Sequence, residues 1–468
     1  MKQTSRLGLD LISSPNTLRD IYSDQRIPVM LSEEFFSAVC GPPIAANTAI
    51  SKDVGIHCHT LTPSYAVKSN YKKSAAPTNC LAISPSHVFA AQNEKSQIHV
   101  YSKARGTQEV TVTLGERIRS LTLIGDVLAV GTVDGSLMLW ETCTGRLVTT
   151  PPCHVQPVTC VAATSHHVVT ASEDSNIHVW TLSRLLELNA TTELEPDLTL
   201  SNHRGAITSL VVSQSVNPET SLCVSASKDK TCIIWNYQTG EPLRTLLFPS
   251  VPLCVALDPC SRAVLVSCED GSLYLVELFG AKPLVGQHSA EVSSTAVQVT
   301  SPLGVADAEC GPASCLAISH DGTAVLTGHT KGKILQWQLT DNGHPTELTD
   351  LNASVTNLVF PPLTQATQTT RPVTVIKPSL AERQYTFTAQ LEADLAPPSR
   401  FQNMLNSAGF PDDVLEKAIL SFTELPATQS GNSAEAQTQI DELKEIIEGQ
   451  KALHKATLQK LADAKSSK

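Results

Sequence analysis

Two places in the sequence put His, Ser and Asp in a combination from which a hydrolase triad could be drawn. These are His154, Ser172 and Asp174, with Trp180 following, and His203, Ser227 and Asp229, with Trp235 following. In a triad, an imidazole oriented by a carboxylate takes the proton of an attacking serine hydroxyl. Catalysis needs one such centre, whereas here the same four residue types recur in consecutive units. Recurrence suits a buried hydrogen-bond network that pins each unit, and these eight residues are assigned that structural role. His57, Cys58 and His59 offer imidazole and thiol ligands, yet neighbours along a strand point to opposite faces and do not converge on one metal ion. Gly328-His329-Thr330-Lys331-Gly332-Lys333-Ile334 approaches a phosphate loop. It is one residue short, carries Ile334 where Ser or Thr is required, and runs into a strand instead of a helix. No catalytic residue, cofactor or metal is expected, and the chain is expected not to be an enzyme.

The elements that position these residues come from a repeat of about 40 residues, each ending in a short apolar strand, in most cases closed by an aromatic residue. The endings are Ile98-His99-Val100-Tyr101, Leu137-Met138-Leu139-Trp140, Ile177-His178-Val179-Trp180, Cys232-Ile233-Ile234-Trp235, Leu273-Tyr274-Leu275-Val276 and Ile334-Leu335-Gln336-Trp337. Asp134, Asp174 and Asp229 each precede a Trp by the same spacing, which is the WD40 signature. Alternating segments such as Asn79–Ile83, Val158–Ala162, Ile207–Val211 and Ser314–Ile318 open the units as half-buried strands. Turns rich in Gly, Asp and Asn follow, as at Val133-Asp134-Gly135 and His320-Asp321-Gly322. Four such strands form one propeller blade.

Six units are legible between Thr78 and Thr340, with Leu185 to Leu200 as an insertion and Ala281 to Gly311 as a surface loop. A seventh blade is expected from Phe35 to Leu61 together with Ser354 to Leu380, where Ser354–Phe360 and Pro372–Ile376 look like further strands. Closure by both termini leaves no long exposed edge. The expected fold is all-β, a seven-bladed WD40 β-propeller over 30–380, preceded by an N-terminal extension at 1–29. A linker with a short helix is expected at 381–433 and a C-terminal coiled-coil helix at 434–468. Ile440, Leu443, Ile447, Leu453, Leu458 and Leu461 form an apolar seam on that helix, which suits pairing with a second copy into a homodimer.

Composition narrows the partners. With 34 Lys and Arg against 45 Asp and Glu, the net charge of -11 disfavours a broad grip on nucleic acid phosphates. Any RNA contact has to be local, and the cluster of Lys68, Lys72 and Lys73 fits a solvated loop. The 13 cysteines are scattered among apolar strand residues without a disulfide framework, as in a reducing compartment. No apolar stretch approaches the ~18 to 20 residues that cross a bilayer, and no signal peptide is evident. A soluble, intracellular protein without membrane contact is expected.

Beyond the blade motifs, several segments are more specific. Leu31-Ser32-Glu33-Glu34-Phe35, Ser64-Tyr65-Ala66-Val67-Lys68, Leu182-Ser183-Arg184-Leu185-Leu186, Leu243-Arg244-Thr245-Leu246, Asp270-Gly271-Ser272-Leu273-Tyr274 and the terminal helix are of this kind. In these the chain resembles the WD-repeat subunit of the fungal pre-60S ribosome maturation (rixosome-type) complex, whose metazoan counterpart is also a WD-repeat protein. The resemblance implies a non-catalytic scaffold in the nucleus, in nucleolus and nucleoplasm, that serves precursor rRNA spacer processing. It further implies helical-repeat scaffold subunits, the pre-60S particle and a midasin-type ATPase as partners, with a secondary chromatin or replication role. A substrate receptor for a ubiquitin ligase is the competing class; it would need a ligase-recruiting motif, and none is evident.

Overall fold

The computed structural model describes residues 33–44, 54–187, 194–214, 221–279, 284–285, 296–339 and 344–362, with 375–376, 390–391 and 451 as isolated additions. Seven sheets of antiparallel strands follow one another around a ring. Blade 1 is Leu81–Ile83, His87–Ala91, Gln97–Ser102 and Gln108–Thr113. Blade 2 is Ile118–Ile124, Val127–Thr132, Leu137–Glu141 and Leu147–Thr149. Blade 3 is Val158–Ala163, His167–Ser172, Ile177–Thr181 and Leu198–Leu200. Blade 4 is Ile207–Val212, Leu222–Ser227, Thr231–Asn236 and Glu241–Leu247. Blade 5 is Pro252–Leu257, Ala263–Cys268, Ser272–Glu277 and the short Gly304–Val305. Blade 6 is Ala313–Ile318, Ala324–His329, Lys333–Gln338 and Pro345–Asp350.

Blade 7 closes the ring with strands from both ends of the propeller. Val355–Val359 is its innermost strand and pairs with Glu34–Val39, followed by Val54–Thr60 and Ala66–Lys72. The outermost strand is thus Ala66–Lys72 and not Pro372–Ile376. Within the latter stretch, Val375–Ile376 pairs with Gln390–Leu391 in a separate two-stranded sheet. Buried Glu33 adds a fastening: its carboxylate accepts the backbone N–H of His320 in blade 6 at 2.9 Å. The surface loop expected over Ala281 to Gly311 also differs in part. Val297–Gln298 lies parallel to the outer strand of blade 4, and Gly304–Val305 supplies the outer strand of blade 5. The insertion at Leu185 to Leu200 contains the end of the short helix Leu182–Leu185, which buries Leu182 and Leu185, and the outer strand of blade 3.

Clusters of buried side chains lie between successive blades, so each blade uses its neighbours as its core. Phe36, Tyr71, Phe89 and Trp140 share one cluster, and Val224, Phe248, Val266 and Tyr274 another. A hydrogen-bond circuit ties the inner strands to one another. Cys80 donates to the carbonyl of Arg119 at 3.3 Å, Ser120 to Val158 at 2.8 Å, Thr159 to Ile207 at 2.9 Å and Thr208 to Pro252 at 2.8 Å. Ser314 donates to Val355, and Thr356 to Ala76 at 2.6 Å, which brings the circuit back to blade 1. Asn357 reinforces that last junction by donating to Pro77 at 2.7 Å and accepting the N–H of Cys80 at 3.1 Å.

Candidate functional site

The two His-Ser-Asp-Trp sets fold into nearly identical networks, but with a different hydroxyl at the centre. In blade 3, Trp180 Nε1 donates to Thr170 Oγ1 at 3.2 Å, and that oxygen lies 2.9 Å from His154 Nε2. His154 Nδ1 then faces Asp174 Oδ2 at 3.1 Å. The ionised carboxylate only accepts, so Nδ1 carries the proton and Nε2 accepts from the threonine hydroxyl. The backbone N–H groups of Val155 and Asn176 also donate to Asp174, at 3.1 and 2.9 Å. Burial alone pushes Asp174 up, but the bonds from His154, Asn176 and Val155 outweigh it and hold the carboxyl at about 2.

Blade 4 repeats the chain of donors. Trp235 Nε1 donates to Ser225 Oγ at 2.8 Å, Ser225 Oγ lies 2.7 Å from His203 Nε2, and His203 Nδ1 lies 3.2 Å from Asp229 Oδ2. Against the raising effect of burial, the bonds from His203 and Thr231 hold Asp229 below the usual carboxylate range. Ser172 and Ser227 stand outside both chains. Each donates to a backbone carbonyl, Gln156 at 2.9 Å and Gly205 at 2.8 Å, and accepts the N–H of the Asp two residues on. Neither serine hydroxyl meets an imidazole, and both ring nitrogens of His154 and His203 are engaged within the blade. Thr170 and Ser225 sit two residues upstream on the same strand face as Ser172 and Ser227. A period-two pattern cannot choose between such positions.

Blades 6 and 7 use variants. Trp337 Nε1 donates to Thr327 at 2.9 Å, but the imidazole comes from the same strand: His329 lies 3.0 Å from Thr327 and donates to the Gly311 carbonyl at 2.8 Å. In blade 7, His59 takes the place of the tryptophan and lies 2.8 Å from Ser37 and 3.0 Å from the Tyr65 hydroxyl. Its neighbour on the same face, His57, meets Asn70 at 2.9 Å. Burial, with His57 nearby, lowers His59 to about 3. Both ring nitrogens of His59 and Nδ1 of His57 are thus engaged, Cys58 faces the Glu34 carboxylate at 3.9 Å, and His57 Nε2 is buried without a hydrogen-bond partner among the described residues. Among the described residues, no group of three or more His, Cys, Asp or Glu side chains is placed to hold a metal ion.

The inner strands enclose a central channel of about 570 Å³. Thr78, Asn79, Arg119, Thr159, Thr356 and Asn357 line one portion together with Glu173, Lys228 and Thr330 from turns, while Leu121, Val161, Leu210 and Leu316 line another. Burial pushes the thiols near the channel up, Cys160 to about 11 and Cys80 and Cys254 to about 12, so they stand as thiols and not as nucleophilic thiolates. The candidate dimer residues Ile440, Leu443, Ile447, Leu453, Leu458 and Leu461 lie outside the described residues. No helix among the described residues is long and apolar enough to cross a membrane.

Seven blades, closed by strands from both ends, with His–Asp bonds in blades 3 and 4 and Trp–hydroxyl bonds in blades 3, 4 and 6, define a WD40 β-propeller. The WD domain, G-beta repeat family matches at residues 145–181 and 194–236, each match running from the outer strand of one blade through three strands of the next. Within that class the chain resembles the WD-repeat proteins named for pre-rRNA processing. It is 25% identical over 60% of its length to pre-rRNA-processing protein crb3/ipi3 of Schizosaccharomyces pombe, covering 68% of that protein. It is 28% identical over 54% of its length to pre-rRNA-processing protein IPI3 of Yarrowia lipolytica, covering 59%. WD repeat-containing protein 18 of Danio rerio is 26% identical over 54% of the chain, with 58% of that protein covered. The match thus spans less than two thirds of the latter two relatives.

Proposed function

We propose that this protein is a non-catalytic scaffold subunit of a nuclear complex for pre-60S ribosome assembly and precursor rRNA spacer processing. The observation that carries the proposal is the likeness to proteins named for pre-rRNA processing in fungi, at 22% to 28% identity. The interior chemistry supports it: the His, Asp and hydroxyl groups that could have been reactive are held in bonds within the blades. What remains for function is the two rims, the outer edge and the central channel of the ring, which suit the docking of other chains. The partners in this reading are helical-repeat scaffold subunits, the pre-60S particle and a midasin-type ATPase. The seam from Ile440 to Leu461 would join two copies.

The test is affinity purification of the tagged full-length protein from nuclear extract, with sedimentation of the recovered particles and analysis of precursor rRNA after depletion. Recovery with large-subunit precursors, and accumulation of spacer-containing rRNA on depletion, is the expected result. Recovery with cullin-type subunits, or with chromatin alone and unchanged rRNA, would sink the proposal. In the same preparation, Leu443→Asp with Ile447→Asp should halve the particle mass of the isolated protein by light scattering. A wild-type monomer at micromolar concentration would refute the dimer.

A further inference from the structure

One position on the inner strands follows a rule around the ring, and one blade breaks it with a charge. The extra residue of the inner-strand β-bulge is Thr159 in blade 3, Thr208 in blade 4, Ser314 in blade 6 and Thr356 in blade 7. Each of these hydroxyls donates to a carbonyl of the next blade. Blade 5 has Leu253 there and blade 2 has Arg119. In blade 2 the bond to the next blade passes to the neighbouring Ser120, which releases Arg119 from any part in holding the ring.

The Arg119 side chain is half-buried, lines the channel and makes no hydrogen bond or ion pair with any described residue. A guanidinium taken partly out of water without a counter-charge destabilises the fold, and such local departures from consistency collect at functional positions. Lys228, from the turn after Ser227, lines the same cavity, and its ammonium also has no partner among the described residues. Glu173 is the one acidic lining residue, so the lining carries two cations against one anion in a chain of net charge -11. Two residues beyond Arg119 on the same strand, Leu121 begins an apolar lining continued by Val161, Leu210 and Leu316.

We propose that the channel is a carboxylate-binding site that receives an acidic side chain of a partner polypeptide at Arg119, with an adjacent apolar residue seated against Leu121, Val161 and Leu316. A single planar guanidinium matches one carboxylate with two parallel N–H bonds. Glu173 in the same lining repels a dianionic phosphate more than a singly charged carboxylate. A cavity of this size lies in the range that takes a small ligand or a short side-chain cluster. The site deepens the scaffold reading by giving the ring a defined point of attachment, and it rests on that reading.

The test uses the full-length protein and a fluorescein-labelled peptide, Gly-Leu-Glu-Leu-Gly, followed by fluorescence anisotropy beside its Gly-Leu-Gln-Leu-Gly counterpart. The Glu peptide should bind about ten-fold or more tightly than the Gln peptide, as a charge-assisted pair predicts. Arg119→Met should remove that preference while leaving the melting temperature at or above the wild-type value, and acetate should displace the peptide better than inorganic phosphate. Should Arg119→Met fail to fold, Lys228→Met and the wild-type comparison of Glu with Gln peptide still decide. Equal affinity for the two peptides, no binding at millimolar peptide, or stronger displacement by phosphate would each overturn the site. Such a failure, with the wild type still recovered on ribosome precursors, would strike the carboxylate site alone and leave the scaffold proposal standing.

Discussion

Blades 4 and 5 stand side by side on the same backbone plan, yet they fill the same interior positions with opposite chemistry. Strand pairing sets Trp235 of blade 4 opposite Cys223, and at the matching place in blade 5 Val276 lies opposite Val264. Ser225 corresponds to Val266, and His203, five residues before the bulge, corresponds to Phe248. Blade 4 is thereby a chain of directed bonds from indole to hydroxyl to imidazole to carboxylate. Blade 5 packs Phe248 edge-on against Tyr274 with ring centroids 5.3 Å apart. Asp270 keeps only the turn bond, accepting the N–H of Ser272 at 3.0 Å. At these matching positions a complete polar network and a wholly apolar set each leave no group unpaired, whereas a mixture of the two would; elsewhere in blade 5 the buried Ser267 hydroxyl has no partner among the described residues.

The largest expected effect breaks the network at its anchor. Trp235→Ala should cost about 3 to 5 kcal/mol in urea unfolding through cavity and lost transfer energy. Val276→Ala at the matching position should cost about 2 kcal/mol from its lost methyl groups. Equal losses at the two sites would show that the polar blade owes its stability to backbone pairing alone. A smaller effect sharpens the comparison by mixing the two chemistries. Thr170→Val should cost about 1 to 3 kcal/mol because it leaves the Trp180 N–H and His154 Nε2 unpaired. Val266→Thr should cost a similar amount, about 1 to 3 kcal/mol, by burying a hydroxyl beside Phe248. A stabilising Val266→Thr would contradict the rule of complete network or none.

The smallest effect is acid sensitivity, and it belongs to the histidine-bearing blades. Burial, with His154 close by at 4.1 Å between ring centroids, lowers His178 to about 4. His59 lies at about 3 for the same kind of reason. Unfolded histidine titrates near 6.5, so below that pH the unfolded chain takes up protons that the folded chain refuses, and stability falls as pH falls. From about 4 downward Asp174, held at about 2, adds a loss of the same sign. Melting temperature should decline from pH 7 to pH 5, and His178→Gln should flatten part of that decline. A wild-type melting temperature that does not change over this interval would count against buried neutral histidines.

How much of this was legible in the sequence follows from how each residue is used. The apolar strand endings mark the third strands of six blades, and five of them close on a Trp or Tyr, whose burial beside alternating apolar residues has few other readings. The outer strand of blade 7 was missed because Ala66–Lys72 buries only Tyr71 and alternates poorly. Val297–Gln298 and Gly304–Val305 are too short to carry a period at all. Arg119 gave no signal of its own, since its significance lies in comparison with Thr159, Thr208, Ser314 and Thr356, and that alignment depends on the bulges.

The closing blade also sets a schedule for synthesis. Glu34–Val39 finds its inner neighbour only in Val355–Val359, so about 316 residues separate the end of one strand from the start of the other. At about 5 to 20 residues per second, the early strand waits roughly 15 to 60 s on the translating ribosome with one side unpaired. During that interval the nascent chain carries an open β-edge, a template for pairing with other chains. Where the ring is sewn shut thus sets how long that edge stays open, and a chain released before Val355 would keep it open for good.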